Sequence, residues 1–316
     1  MGGPVADVME EIALAPRDAA IALRLMGSVH RLVLEGRAPE LTPFYASAGG
    51  TRDPHGAWPA FRATVEEHRE ELRGLVERPV QTNEVGRCGG LVGGFVAVAK
   101  QWGLPLDLLE IGASGGLNLR WDQYRYETSA GGWGPTHSPV RLAEFEGVGP
   151  DLAGGAVVGE RRGCDPDPID PTSHEGRLTL SSYVWPDQTW RWEWLRGALD
   201  VASEVPVTVD RAGGGDWLRA RLAERSFNRA TVVFHSIVMQ YLDDKERTLV
   251  RDQLEEAGEG ASGDAPLAWL RMEPPGEGDV DDGTAPVHLT TWPRGDTSVI
   301  ARCGYHGRPV RWLGSS

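Results

Sequence analysis

The chain has 316 residues, enough for one large or two modest domains with a sizeable core. Its formal charge of −14 and its poverty in lysine, confined to Lys100 and Lys245, speak against a surface built to neutralise phosphates, and so against nucleic-acid partners. Cys88, Cys164 and Cys303 are far apart and outside C-x-x-C spacing, which argues against a disulfide framework or a zinc ribbon and suits a reducing cytoplasm.

The first residues lack a basic stretch followed by an apolar one, and no run reaches the ~18 apolar residues of a membrane span, so a cytoplasmic protein without membrane partners is expected. Its eight histidines are scattered, with no H-x-x-x-H or H-x-H pair, and no metal site is expected. From Val5 to Leu34, Ile12, Leu14, Ile21, Leu25, Val29 and Leu32 predict helices interrupted near Pro16. Phe61, Val65, His68, Leu72 and Leu75 alternate steps of four and three, which predicts one amphipathic helix from Trp58 to Val76. His68 on that stripe reads as a core-edge histidine with a local partner. A further helix is expected from Asn83 to Gln101. Its glycines, Gly86, Gly89, Gly90, Gly93 and Gly94, each cost ~1 kcal/mol relative to alanine, so close packing must compensate. Asn83, Glu84 and Arg87 at its start are candidate substrate contacts.

Leu106 to Ile111 has the continuous apolarity of a parallel strand buried on both faces. It ends on Glu110-Ile111 and enters Gly112-Ala-Ser-Gly-Gly116, where glycines allow positive φ and close approach of backbone to a ligand. A helix opening after Gly116 would point free N–H groups back into the turn. The same residues also spell Gly112-x-Ser114-x-Gly116, a nucleophile elbow that would make Ser114 an acyl-transfer nucleophile. No oxyanion motif precedes it, although His235, His288 and His306 keep a Ser…Asp…His order open.

A hairpin insertion is expected at Tyr124–Phe145, then a short strand at Ala156–Gly159 leading into a polar turn at Arg161–Pro166. Further strands are expected at Val205–Val209, Ala230–Phe234 and Ala265–Met272. Asp243 and Glu246 form a capping box for a helix carrying Leu249, Val250 and Leu254. Val287–Trp292 and Thr297–Cys303 flank a Pro-Arg-Gly-Asp turn and read as a closing antiparallel hairpin. Strands alternating with helices imply a mostly parallel α/β sheet, which binds ligands beyond its carboxyl ends where the strand order reverses. The residues at those ends are Glu110 to Asn118, Asp165 (with Glu160 as its rival), Asp210 to Ala212, and His235 with Ser236. Trp185, Trp190, Trp192 and Trp194 serve core packing or line an acceptor pocket.

Glu110-Ile-Gly112-Ala-Ser114-Gly-Gly116 resembles the E-x-G-x-G-x-G first motif of Rossmann-like S-adenosylmethionine-dependent methyltransferases, with Ser114 in place of the middle glycine. Thr82–Arg87, Glu110–Asn118, Arg162–Asp170 and Trp185–Gln188 together resemble the bacterial domain-of-unknown-function 2332 family over nearly the whole chain. The resemblance implies a helical cap region at 1–100 and a Rossmann-like methyltransferase-type domain at 101–316, acting on a small molecule with S-adenosylmethionine as cofactor. It implies that Gly112, Ala113, Ser114, Gly115 and Gly116 wrap the methionine end, with Glu110 nearby and Asn118 as a further cofactor contact. Asp165 would hold the ribose, and Arg211 and Ala212 would lie near the adenine. His235 is the candidate general base, with Ser236 and Gln240 as further substrate contacts. A cofactor-binding or regulatory protein without turnover, and a Ser114 hydrolase, are the alternatives.

Overall fold

A computed structural model describes residues 3–10 and 20–314. In chain order the helices are α1 (Pro4–Met9), α2 (Ile21–Leu34), α3 (Trp58–Glu67), α4 (Arg69–Val76), α5 (Arg87–Trp102), α6 (His174–Ser182), α7 (Thr189–Glu204), α8 (Gly214–Ala223) and α9 (Asp244–Glu259). The strands are β1 (Leu106–Ile111), β2 (Arg125–Thr128), β3 (Gly131–Trp133), β4 (Arg141–Leu142), β5 (Phe145–Glu146), β6 (Val158–Asp165), β7 (Thr208–Arg211), β8 (Ala230–Ser236), β9 (Leu267–Met272), β10 (Ala285–Trp292), β11 (Asp296–Cys303) and β12 (Val310–Trp312). The chain divides into two units, Met1–Thr82 with Asp170–Leu195, and Asn83–Ile169 with Arg196–Ser316. Among the described residues no helix is long and apolar enough to cross a membrane.

The first unit is helical. Val29, Leu32, Leu41, Val65 and Leu72 are fully buried in its core, to which α2, α3 and α4 contribute. The stretch read as one helix from Trp58 to Val76 breaks at His68 (φ −103°, ψ 24°), and each half turns its apolar side to α1 and α2. His68 bonds the Arg37 carbonyl at 3.2 Å and faces Glu71 at 3.6 Å, the local partners expected of it. Ile12, Leu14 and Pro16 lie outside the described residues. In α7, Trp190 and Trp194 meet edge to face at 4.9 Å, and Trp192 meets His30 at 5.6 Å, so packing accounts for these rings.

Among the described residues of the second unit, nine strands form one mixed, mostly parallel sheet in the order β5-β12-β11-β10-β9-β8-β1-β6-β7. The neighbours from β9 to β7 all pair parallel, and β10, β11 and β12 close the sheet antiparallel. The expected 124–145 hairpin is present as β2 and β3, but β4 pairs beside β2, and Phe145 departs to β5 at the sheet edge.

The sequence groups α5 with the first hundred residues, whereas its contacts place it on the sheet. Its glycines explain why: a Cβ on Gly93 would lie 2.3 Å from Trp312, and one on Gly94 2.5 Å from Leu270. The helix surrenders intrinsic propensity for close approach to the strands. On the opposite face, α8 and α9 cover Leu109, Ile111, Val233 and Trp269. Asp243 caps α9 by accepting from Glu246 N at 2.8 Å, while the Glu246 carboxylate accepts from Gly215 N at 2.9 Å instead of completing the capping box.

Two expectations fail for local reasons. The polar turn expected at Arg161–Pro166 is mostly strand, because Arg161 pairs with Asp122 and Arg162 with Asp210, which accommodates both charges on β6. The segment after Gly116 is a kinked 3₁₀ stretch, Asn118–Gln123, and not an α-helix. The Tyr124 hydroxyl donates to Leu117 O (2.6 Å) and that of Tyr126 to Trp121 O (2.8 Å), occupying carbonyls that α-helical N–H groups would use.

Candidate functional site

Strand β1 delivers Glu110 to the carboxyl edge of the sheet, between β8 and β6, where the strand order reverses. Side chains alternate across the sheet, so Leu109 and Ile111 face α8 and α9 while Glu110 points to the α5 side. The glycine loop follows with positive φ at Gly112 (69°), Ser114 (51°) and Gly116 (66°). A Cβ on Gly112 would lie 2.3 Å from Val238 Cγ2, so glycine is needed there for packing as well as for the turn.

Much of the loop's backbone is held by the protein. Ala113 N donates to Cys164 O (3.0 Å), Ser114 N to Asp165 Oδ2 (2.9 Å), Gly116 N to Ala113 O (2.7 Å) and Leu117 N to Asn83 Oδ1 (2.9 Å). Arg120 donates to Gly116 O (2.8 Å) and Val205 O (2.7 Å), clamping the loop from below. The fold therefore pre-forms the loop.

Asp165, 8% exposed, ends β6 as the sequence reading required, while Glu160 is exposed near the strand's start. Its second oxygen accepts from Asp167 N at 2.9 Å. A carboxylate offers about four acceptor sites, so bracing the loop leaves it capacity for a ligand hydroxyl. Ala212 N donates to Asp165 O (3.1 Å), and Arg211 holds Pro166 O (3.0 Å) and Asp167 (2.8 Å). These residues share one edge with the glycine loop.

Glu110 is 2% exposed, and its Oε2 has no partner among the described residues. Burial pushes its carboxyl well above the usual carboxylate range, and the charge of Asp165 adds to that. A hydrogen bond from Asn118 and the charges of Arg120 and Arg87 oppose the shift without cancelling it. Asn118 is placed by the Cys88 thiol, which donates to its Oδ1 at 3.2 Å. Burial likewise pushes Cys164 up to about 12, so it remains a neutral thiol.

The start of α5 joins this edge. Arg87 donates to Ser236 O (3.0 Å) and Tyr305 O (3.1 Å), and Glu84 meets His306 Nδ1 at 3.1 Å. Asn83, Glu84, Arg87 and Ser236 are thus gathered around the end of β1. Gln240 is exposed on the turn Met239–Tyr241, with no bond tying it to the loop.

His235 does not have the place of a general base. It lies on the α8/α9 side, opposite Glu110, because Glu110 pairs with Phe234 and the next residue faces the other way. The ring is 0% exposed; Trp269 Nε1 donates to its Nε2 (2.9 Å), and its Nδ1–H donates to Glu273 Oε1 (2.6 Å). Both nitrogens are engaged, Nε2 as the acceptor and Nδ1 as the donor. Glu273 also accepts from Val238 N (3.1 Å) and Met239 N (3.3 Å), so the pair shapes the turn that packs on Gly112. For the hydrolase alternative, His235, His288 and His306 each direct a nitrogen to a carboxylate, Glu273, Asp279 and Glu84 respectively.

The profile of a family described as an uncharacterized protein conserved in bacteria (DUF2332) matches residues 1–312. The chain belongs to the DUF2332 family. No curated protein and no solved structure matches it. Sequence reasoning on this DUF2332 chain missed Glu273, Arg120 and the Glu84–His306 pair. Glu273 follows β9 directly, and applying the carboxyl-end rule to that strand as well would have found it.

Proposed function

We propose that this chain transfers a methyl group from S-adenosylmethionine to a small molecule. The observation that carries the reading is the buried Glu110 carboxyl, with one oxygen unpartnered among the described residues, beside a glycine loop where the strand order reverses. A buried polar atom without a partner costs about 1–3 kcal/mol, and a cationic ligand group, by displacing the proton and pairing with the carboxylate, or a hydrogen-accepting one would satisfy it. The parallel strands β7-β6-β1-β8-β9, renumbered along the chain, run 3-2-1-4-5, the order of doubly wound dinucleotide-binding sheets, which supports a Rossmann-like second unit.

The residues present fit the donor. Glu110, Asn118 and the Gly112–Gly116 backbone would hold its methionine end, Asp165 its ribose, and Arg211 and Ala212 its adenine. When bound, the donor supplies a methyl carbon already activated by a sulfonium leaving group. The chain's own task is then to orient the acceptor, exclude water and take up a proton. Calorimetric titration with S-adenosylhomocysteine tests the reading. Saturable binding to the native chain that weakens at least tenfold in Asp165→Ala is expected, and no heat with the native chain would overturn it.

A further inference from the structure

With His235 removed from the chemistry, the sheet edge needs another proton acceptor, and one is built there. Strand β11 runs in the same direction as β1, since β10 reverses relative to β9 and β11 reverses again. The registers Ser236↔Met272, Met272↔Val287 and Ala285↔Cys303 carry the carboxyl edge across to the end of β11. The turn after Cys303 therefore opens on the same edge as the glycine loop. Gly307 lies against the backbone of Gly86, where a Cβ would come within 1.9 Å, so the turn is seated on the start of α5.

That turn presents His306. Glu84, 4% exposed, meets its Nδ1 at 3.1 Å, while the imidazole side chain is 40% exposed and its Nε2 has no partner among the described residues. The arrangement is a base oriented by a buried carboxylate, with the second nitrogen turned outward. Arg87 lies near enough to Glu110 to influence its charge, and it also holds Tyr305 O, which ties the imidazole turn to the proposed donor site. The other charged group on the turn, Arg308, faces Glu144 at 3.6 Å.

We propose that the Glu84–His306 pair takes the proton of the methyl acceptor, and that the acceptor is an oxygen acid of the phenol or enol class; this rests on the function proposed above. An imidazole is a base matched to acids that ionise near neutrality. Carboxylates have no proton to give up at neutral pH, and aliphatic alcohols hold theirs too strongly. The acceptor O–H proton moves to His306 Nε2, the oxygen's electron pair forms the new bond to the methyl carbon, and the carbon–sulfur pair stays on sulfur. The proton then leaves to solvent.

The test needs no turnover. 4-Nitrophenol is added to the full chain loaded with S-adenosylhomocysteine, in mildly acidic buffer where the free phenol is largely un-ionised, and the phenolate absorption band is read. The native chain is expected to raise the band, His306→Gln to return it to the level of buffer alone, and Glu84→Gln to fall between. Calorimetry on each variant confirms that S-adenosylhomocysteine is still bound. If it binds and the native chain raises no band, or His306→Gln raises it equally, this proposal is overturned and donor binding stands. If S-adenosylhomocysteine does not bind the native chain, the function proposed above falls, and this proposal with it.

Discussion

Replacing Glu110 by glutamine separates a neutral buried carboxyl from an ionised one. Because burial raises the folded-state pKa well above the ordinary carboxylate range, the folded chain keeps a proton that the unfolded chain loses above about pH 4.3. The native state binds more protons across that window, so this group's contribution to stability is complete below the unfolded pKa and declines as pH rises towards the folded one. The slope approaches about 1.4 kcal/mol per pH unit. Glutamine has no such proton. Its amide nitrogen would sit where Oε2 lacks a partner, at a pH-independent cost of about 1–3 kcal/mol, while its oxygen could keep the bond from Asn118. Urea unfolding of both proteins at several pH values from about 4.5 to about 7.5 should show the glutamine variant gaining on the native chain as pH rises. A difference that stays constant across this range would mean that Glu110 ionises normally, and the reasoning about its surroundings would be refuted.

Other consequences are as direct. Burial lowers His30 to about 4, so as pH falls from about 6.5 the unfolded chain takes up a proton that the folded one refuses. The native chain should lose about 3 kcal/mol more than His30→Asn between about pH 7 and about pH 4, and equal losses in denaturant titrations would contradict the burial argument. Gly94→Ala, despite a better helix former, should destabilise by about 1–3 kcal/mol because its Cβ would meet Leu270 at 2.5 Å. Gly74→Ala in α4, with nothing within 4 Å, should stabilise by about 0.5–1 kcal/mol; thermal melts of the two variants that shift in the same direction would remove the packing explanation. His235→Ala takes the acceptor from the Trp269 indole N–H and one of three donors from Glu273, and should cost about 2–5 kcal/mol in chemical denaturation, whereas a change below about 0.5 kcal/mol would exclude the structural role.

Much of this arrangement was legible in the residues. Continuous apolarity bounded β1 at Leu106 and Ile111, and the glycines of α5 signalled close packing before the sheet they approach was known. Asp165 could be placed at a strand end, although β6 itself was hidden: arginines masked its apolar character, and their carboxylate partners lie 39 and 48 residues away in sequence. Proximity to a strand end points to His235, but the alternation of side chains sends it to the face opposite Glu110. His306 sits in a Gly-Tyr-His-Gly turn that carries no local signal. Its meaning comes from Glu84, 222 residues away, which pairs with it only once the sheet is assembled.

A crystal of the full chain grown with S-adenosylhomocysteine puts the central claim to its most direct test. The ligand is expected in contact with the Glu110 carboxyl and the Gly112–Gly116 backbone. A ligand bound elsewhere at saturating concentration, with the Glu110 carboxyl untouched, would contradict it.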